Sequence, residues 1–187
     1  MVQTVDNRYC IIEKIGAGGM GAVYLAEDTR LRRKVALKRL SMMGSTSMEL
    51  FIKRFEREAL EMASFQHTNI VSVYDFGRDN VGVYLVLEYM PGGALTDRLQ
   101  PGKMPVSNAV KILLPLADAL QAIHERGRVH RDIKPANILF DAYDKPKLAD
   151  FGVVKLMEHA SVSTLTAAGA AVSTPVYRAP ELMSGDA

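Results

Sequence analysis

The residues best placed to do chemistry stand together at 130–137: His130-Arg131-Asp132-Ile133-Lys134-Pro135-Ala136-Asn137. Asp132 can accept the proton of an attacking hydroxyl. Lys134, two residues on, can neutralise charge on a phosphoryl group in flight, and Asn137 can hold a metal ion from the other side. Alone, the octapeptide also reads as a polar turn after a helix. Its weight comes from its surroundings. Asp150-Phe151-Gly152 follows, with Asp150 18 residues after Asp132, and offers a carboxylate to a magnesium ion that bridges phosphates. Upstream, Gly16-Ala17-Gly18-Gly19-Met20-Gly21 can lay backbone amides over phosphates, and Val35-Ala36-Leu37-Lys38 carries a lysine.

Each of these groups needs an element to position it. Residues 9–15 and 23–27 suit strands, so the glycine run between them is a hairpin tip. A dinucleotide-binding turn would need a helix there, whereas Ala22-Val23-Tyr24-Leu25-Ala26 alternates like a strand. Lys38 projects from the strand 35–38, and a strand lysine by itself reads as surface, as do Arg30, Arg32, Arg33 and Lys34. A helix is expected over 48–64, with Leu50, Phe51, Phe55, Ala59, Met62 and Ala63 on its apolar face. Glu58 adjoins that face and is the acid to pair with Lys38; Glu56 and Glu61 point elsewhere and read as solvated. Strands at 70–76 and 81–87 complete an antiparallel sheet, and 88–93 (Glu-Tyr-Met-Pro-Gly-Gly) breaks the pattern as a hinge. A second helix runs from Ser107, its N-cap, to His124, with Val110, Leu113, Ala117, Leu120 and His124 on one stripe and a kink at Pro115. A short hairpin, 138–140 with 147–149, leads to Asp150. The segment 160–171 is small and polar, and should be mobile unless something orders it.

Composition sets the frame. The 187 residues are 48% hydrophobic and 24% charged, which suits a globular domain with a sizeable core. A net charge of +2 gives no argument for nucleic acid or an anionic membrane. Cys10 is the sole cysteine, so no internal disulfide is possible and a reducing, cytoplasmic setting is expected. Residues 1–7 lack the apolar core of a signal peptide, and no apolar run approaches the ~18–20 residues of a membrane-crossing helix.

Glycine loop, Val-Ala-Leu-Lys, helix glutamate, His-Arg-Asp, Asp-Phe-Gly and Ala179-Pro180-Glu181 occur in one order from Tyr9 onward. Together they resemble the eukaryotic-like protein kinase superfamily. The wording of 16–26 and of 119–127 is similar to its bacterial Ser/Thr branch. The resemblance implies an α+β, two-lobed fold. A small antiparallel β lobe with one helix would span 1–87, the hinge 88–93, and a mainly helical large lobe, incomplete at its C-terminal end, 94–187. It implies ATP with Mg²⁺ (or Mn²⁺) and transfer of the γ-phosphate to Ser/Thr hydroxyls of protein substrates. Asp132 would be base or orienter, with Lys134 beside it, and Glu58 would aim Lys38 at the α- and β-phosphates. Gly16, Gly18, Gly19 and Gly21 would cover the phosphates, and Asn137 and Asp150 would hold the metal. Val23 and Ala36 above and Leu139 below would sandwich the adenine, Leu87 would line the back of the pocket, and the backbone at Glu88 and Met90 would bond the base. Met62, Val73, Phe151 and His130 would stack as a column holding the Glu58 helix.

The same resemblance gives Arg131 a phosphate to pair with on the activation segment, at Thr164 or Thr166, with Ser161 and Ser163 as substitutes. Thr174 would bond Asp132 and Lys134, and two chains could pair through the small lobe. It also implies further large-lobe helices beyond Ala187, among them one that braces the His-Arg-Asp backbone. The alternatives are therefore a catalytically inactive kinase fragment, a nucleotide-binding regulator or a decoy.

Overall fold

The most apolar strands of the small lobe lie inside its sheet, and the more polar ones at its flanks. The computed structural model describes residues 3–18, 21–40, 48–99, 104–151 and 175–177. Strands β1 (Thr4–Val5), β2 (Tyr9–Gly18), β3 (Gly21–Asp28), β4 (Arg33–Leu40), β5 (Val73–Arg78) and β6 (Val83–Glu88) form one antiparallel sheet ordered β1-β2-β3-β4-β6-β5. In β6, Val83 to Val86 are all buried, as befits a strand covered on both faces. Alternation along β4 sends Val35 and Leu37 to one face, with Tyr9, Tyr84 and Val86, and Leu40 to the other.

Helix α1 (Met48–Ser64) covers that second face. Its three- and four-residue spacing packs Phe51, Phe55, Ala59 and Met62 against Leu40, Val83 and Leu85. Lys38, two residues before Leu40, shares this face, opposite Val23 on β3 and Leu85 on β6. It is only 5% exposed, so the reading of a strand lysine as surface fails here because β4 is an interior strand.

Arg8 ties three strands together. Its guanidinium grips Asp28 with two bonds, at 3.0 and 2.8 Å, and reaches Asp75 at 2.7 Å, while the Tyr9 hydroxyl donates to Asp75 at 2.6 Å. The Arg8 bonds, helped by the N–H groups of Leu31 and Arg30, pull the Asp28 carboxyl down to about 2. Folding therefore lowers its pKa below the ordinary 3.8, and the stabilisation is present above that value and lost as pH falls through about 2. Asp28→Asn should cost about 2 kcal/mol near neutral pH, and the gap from wild type should shrink to about half by pH 3. Urea titrations at the two pH values would measure it; a pH-independent gap would assign the loss to packing.

The large lobe is built on α3 (Val106–Glu125), a short helix α2 (Leu95–Arg98) and the hairpin of β7 (Ile138–Phe140) with β8 (Pro146–Leu148). The hinge expected at 88–93 is laid onto β7: Gly92 N–H donates to Phe140 O at 2.9 Å and Phe140 N–H to Gly93 O at 3.0 Å. A Cβ on Gly92 would stand 2.7 Å from that of Phe140, so this approach admits only glycine. On the other side, Val71 N–H bonds Leu148 O, Leu148 N–H bonds Asn69 O, and the Asn69 amide donates to Pro146 O.

Three expectations for α3 need correction. The helix begins at Val106 with Pro105 as its N-cap, ahead of Ser107. Its buried stripe is Leu116, Ala119 and Ile123, packed with Phe65, Ile70, Ile138, Phe140 and Leu148; Val110, Leu113 and His124 are exposed. The segment is apolar nearly all round, so two stripes satisfied the helical period, and the position of the β7–β8 hairpin selects between them. Finally, α3 is long and apolar enough, by length and composition, to cross a membrane, contrary to the sequence expectation. In this fold its Leu116–Ala119–Ile123 edge is core.

Candidate active site

The catalytic loop is held by bonds that its own sequence supplies. His130 is buried, and Asp132 N–H points at its Nδ1 at 3.4 Å, which leaves Nε2–H to donate to Ala149 O at 3.1 Å. Burial pushes the imidazole below its usual range, so it stays neutral near pH 7 and acts as a brace between the loop and the end of β8. Arg131 takes left-handed backbone, φ 68°, which turns the chain sharply into Asp132.

Asp132, 5% exposed, sits among donors. Lys134 Nζ lies 2.8 Å from its Oδ2, and the Asn137 amide nitrogen donates to both its Oδ2 and its carbonyl oxygen at 2.8 Å. Pro135–Asn137 forms one turn of 3₁₀ helix that delivers Asn137 to this place. With the Asn137 nitrogen committed to Asp132, its amide oxygen is the atom left to act as a metal donor. Ala149 N–H bonds Asn137 O at 2.8 Å, so the hairpin brings Asp150 alongside Asn137.

Asp150 also holds left-handed backbone, φ 62°, and its Oδ1 lies 2.6 Å from Lys38 Nζ. This contact joins residues 112 apart in sequence, one from each lobe. It also corrects an expectation. Lys38 is paired with Asp150, whereas Glu58, 3% exposed, is engaged by Arg57 at 3.3 Å and faces Arg128 at 3.6 Å. Glu61, expected to be solvated, is bonded to Arg128 as well. Arg128 was not foreseen, because a basic residue just past a helix end reads as solvated.

The remaining expected residues are placed by strand register and by the packing where the two lobes meet. Val23 faces Lys38 across β3 and β4, and Ala36 faces Leu87 across β4 and β6. Leu87 and Leu139 pack against Val71, Met90 and Ala149 at the junction. The Glu88 N–H is taken by Ser72 O, so a base could use only its carbonyl; its carboxylate meets Lys147 at 2.7 Å. Phe151 lies 6.2 Å from His130 and 5.4 Å from Phe65, ring to ring, and lines a small cavity with Met62 and Val73. Phe65 was not foreseen in that column.

Two glycines of the loop differ in what the fold demands of them. Gly21 has φ +129°, and a Cβ there would fall 1.9 Å from Arg39 O, so the sheet itself demands it. A Cβ on Gly18, opposite Gly21 in the hairpin, would meet nothing within 4 Å. Among the described residues, then, no packing demands a glycine at this exposed position. Gly16 lies near the tip of the same hairpin, opposite Val23. Gly19, Thr164, Thr166, Thr174, Ser161, Ser163 and 179–181 lie outside the described residues.

The oxygen donors Asn137 and Asp150 suit a hard divalent cation, so the residues present fit magnesium. Among the described residues no group of three or more His, Cys, Asp or Glu side chains could hold a metal by itself.

Residues 9–187 match the protein kinase domain family. The chain is 37% identical over 186 residues to the serine/threonine-protein kinase pkn2 of Myxococcus xanthus, covering 97% of this chain and 22% of that one. It is 38% identical to PrkC of Bacillus subtilis (97% and 28% covered) and 40% identical to PknL of Mycobacterium tuberculosis (95% and 44%). It therefore spans less than half the length of these curated relatives. In structure it is similar to the kinase domain of M. tuberculosis PknI, solved as a double mutant, with a TM-score of 0.73, 31% identity, and 96% and 67% of the two chains covered.

Proposed function

We propose that this chain, which belongs to the protein kinase domain family, transfers the γ-phosphate of ATP to Ser and Thr hydroxyls of protein substrates. The observation that carries the proposal is the convergence, across two lobes, of Lys38 on Asp150 and of Lys134 and Asn137 on Asp132. Asp132 orients the attacking hydroxyl and takes its proton as the new O–P bond forms and the bond to the ADP oxygen breaks. Lys134 offsets the charge of the transferring group, and Lys38 holds the α- and β-phosphates. Magnesium, held by Asn137 and Asp150, would neutralise the phosphates. Gly18 leaves room above them, and Val23, Ala36, Leu87 and Leu139 wall the adenine. Thr164 and Thr166 are the proposed autophosphorylation sites, with Arg131 as the partner of the added phosphate.

A second reading, nucleotide binding without transfer, draws on one observation: Glu58 is engaged by Arg57 and Arg128 while Lys38 is paired elsewhere. Incubating the purified chain with ATP and Mg²⁺, then reading intact mass and phosphosites, separates the two. Added phosphate at Thr164 or Thr166 is expected. Nucleotide binding with no added phosphate, on the chain or on a generic basic protein substrate, would favour the second reading. Self-association through the small lobe belongs to the same proposal, since Ile12 and Leu31 are exposed on it. A sizing column run over a range of concentrations with this preparation would show it.

A further inference from the structure

The side chains that hold α1 from below come from a segment to which the proposed chemistry gives no role. Helix α3 ends at Glu125, and the chain reverses through Gly127 (φ +66°), whose N–H bonds His124 O at 2.8 Å while Arg128 N–H bonds Ile123 O at 3.2 Å. The reversal places Arg126 over the Phe65 ring, 4.2 Å from its centroid, and Arg128 between Glu58 and Glu61. Glu58, Glu61 and Phe65 recur at three- and four-residue spacing, so two arginines clasp one side of α1 and of the turn that follows it.

We propose that Arg128 is a positioning residue that holds Glu58 in a resting arrangement and competes with Lys38 for it. The proposal rests on the phosphotransfer reading for its consequence, but its geometry stands without that reading. Four ion pairs can exchange without stranding a charge. At rest Lys38 holds Asp150, Arg128 spans Glu58 and Glu61, and the exposed Arg57 also meets Glu58 at 3.3 Å. When a bound cation claims Asp150, Lys38 needs a new carboxylate, and Glu58 is the buried acid on the helix that covers its face of the sheet. Arg128 then keeps Glu61, and both of these side chains are more than a third exposed, so water completes their solvation. Glu58, by contrast, is 3% exposed and needs a cation in either state. Arg128 thus sets the balance between two arrangements in which each buried charge stays compensated.

The test is zero-length carbodiimide cross-linking read by mass spectrometry, since Glu58 lines a cavity of about 500 Å³ through which the reagent can enter. In the wild type the Lys38–Asp150 link should dominate. In Arg128→Gln the Lys38–Glu58 link should rise about fivefold at the expense of the first, the factor expected from losing a half-exposed competing ion pair. Arg128→Lys, which keeps the charge, should retain the wild-type pattern and serves as the check that loss of charge, not of fold, moved Lys38. An unchanged ratio in Arg128→Gln, or the same shift in both variants, overturns the proposal. In parallel, titration with a fluorescent ATP analogue and Mg²⁺ should show about three- to tenfold tighter binding by Arg128→Gln. If neither chain binds nucleotide yet the cross-links exchange as stated, the phosphotransfer reading falls and the role of Arg128 stands.

Discussion

Asp132→Asn should lower phosphotransfer about 10³-fold, within the range for a positioned general base, while leaving nucleotide affinity within about twofold. The substitution is nearly isosteric. A carboxamide oxygen can still accept from the Asn137 nitrogen, now 2.8 Å from Oδ2, and the second Asn137 bond goes to a backbone carbonyl that the change does not touch. What is lost is the negative charge that faces Lys134 at 2.8 Å and the capacity to take a proton. Lys134 is 18% exposed in its side chain and can turn toward water, so stability should change by no more than about 1 kcal/mol. Single-turnover transfer to a peptide, nucleotide titration and thermal unfolding on the same sample test the three parts. A parallel loss of transfer and of stability would mean that Asp132 braces the loop and does no chemistry.

The parts of the site that were legible in the sequence are those whose function is local. Asp132, Lys134 and Asn137 lie within one 3₁₀ turn and the residues before it, so their spacing is also their geometry. The hairpin that carries Asp150 was readable because β7 and β8 are short apolar runs around a polar turn, 141–145. Every small-lobe strand except the two-residue β1 was legible from its apolar run, and α1 from its period. What could not be read is which neighbour a charged side chain chooses across the fold. Lys38 and Glu58 were both identified, yet the partner each takes depends on the docking of α1 against the chain after α3, and that contact joins residues 70 apart. The α3 stripe failed for a related reason: a helix apolar on most of its circumference does not declare which side a distant hairpin will cover. Lys147 with Glu88, and Arg8 with Asp28 and Asp75, are likewise long-range choices among surface-like charges.

Lys38→Met should abolish measurable phosphotransfer, a loss of about 10³-fold or more, and should also weaken nucleotide binding about tenfold. Methionine matches the aliphatic stem of lysine, so the place between Val23 and Leu85 in the strand register can still be filled. Loss of the ammonium leaves Asp150 without the partner 2.6 Å away, at a side chain 20% exposed. That carboxylate then depends on water or on a cation, so the variant should be less stable by about 1–3 kcal/mol without metal. The deficit should narrow when Mg²⁺ is added, because a metal at Asp150 stabilises only the folded state. Thermal unfolding with and without Mg²⁺ measures this, and its outcome discriminates. Narrowing with Mg²⁺ places Asp150 at the metal. Equal deficits in both conditions would make the Lys38–Asp150 contact a structural ion pair. Phosphorylation surviving in the purified variant would remove Lys38 from the site altogether.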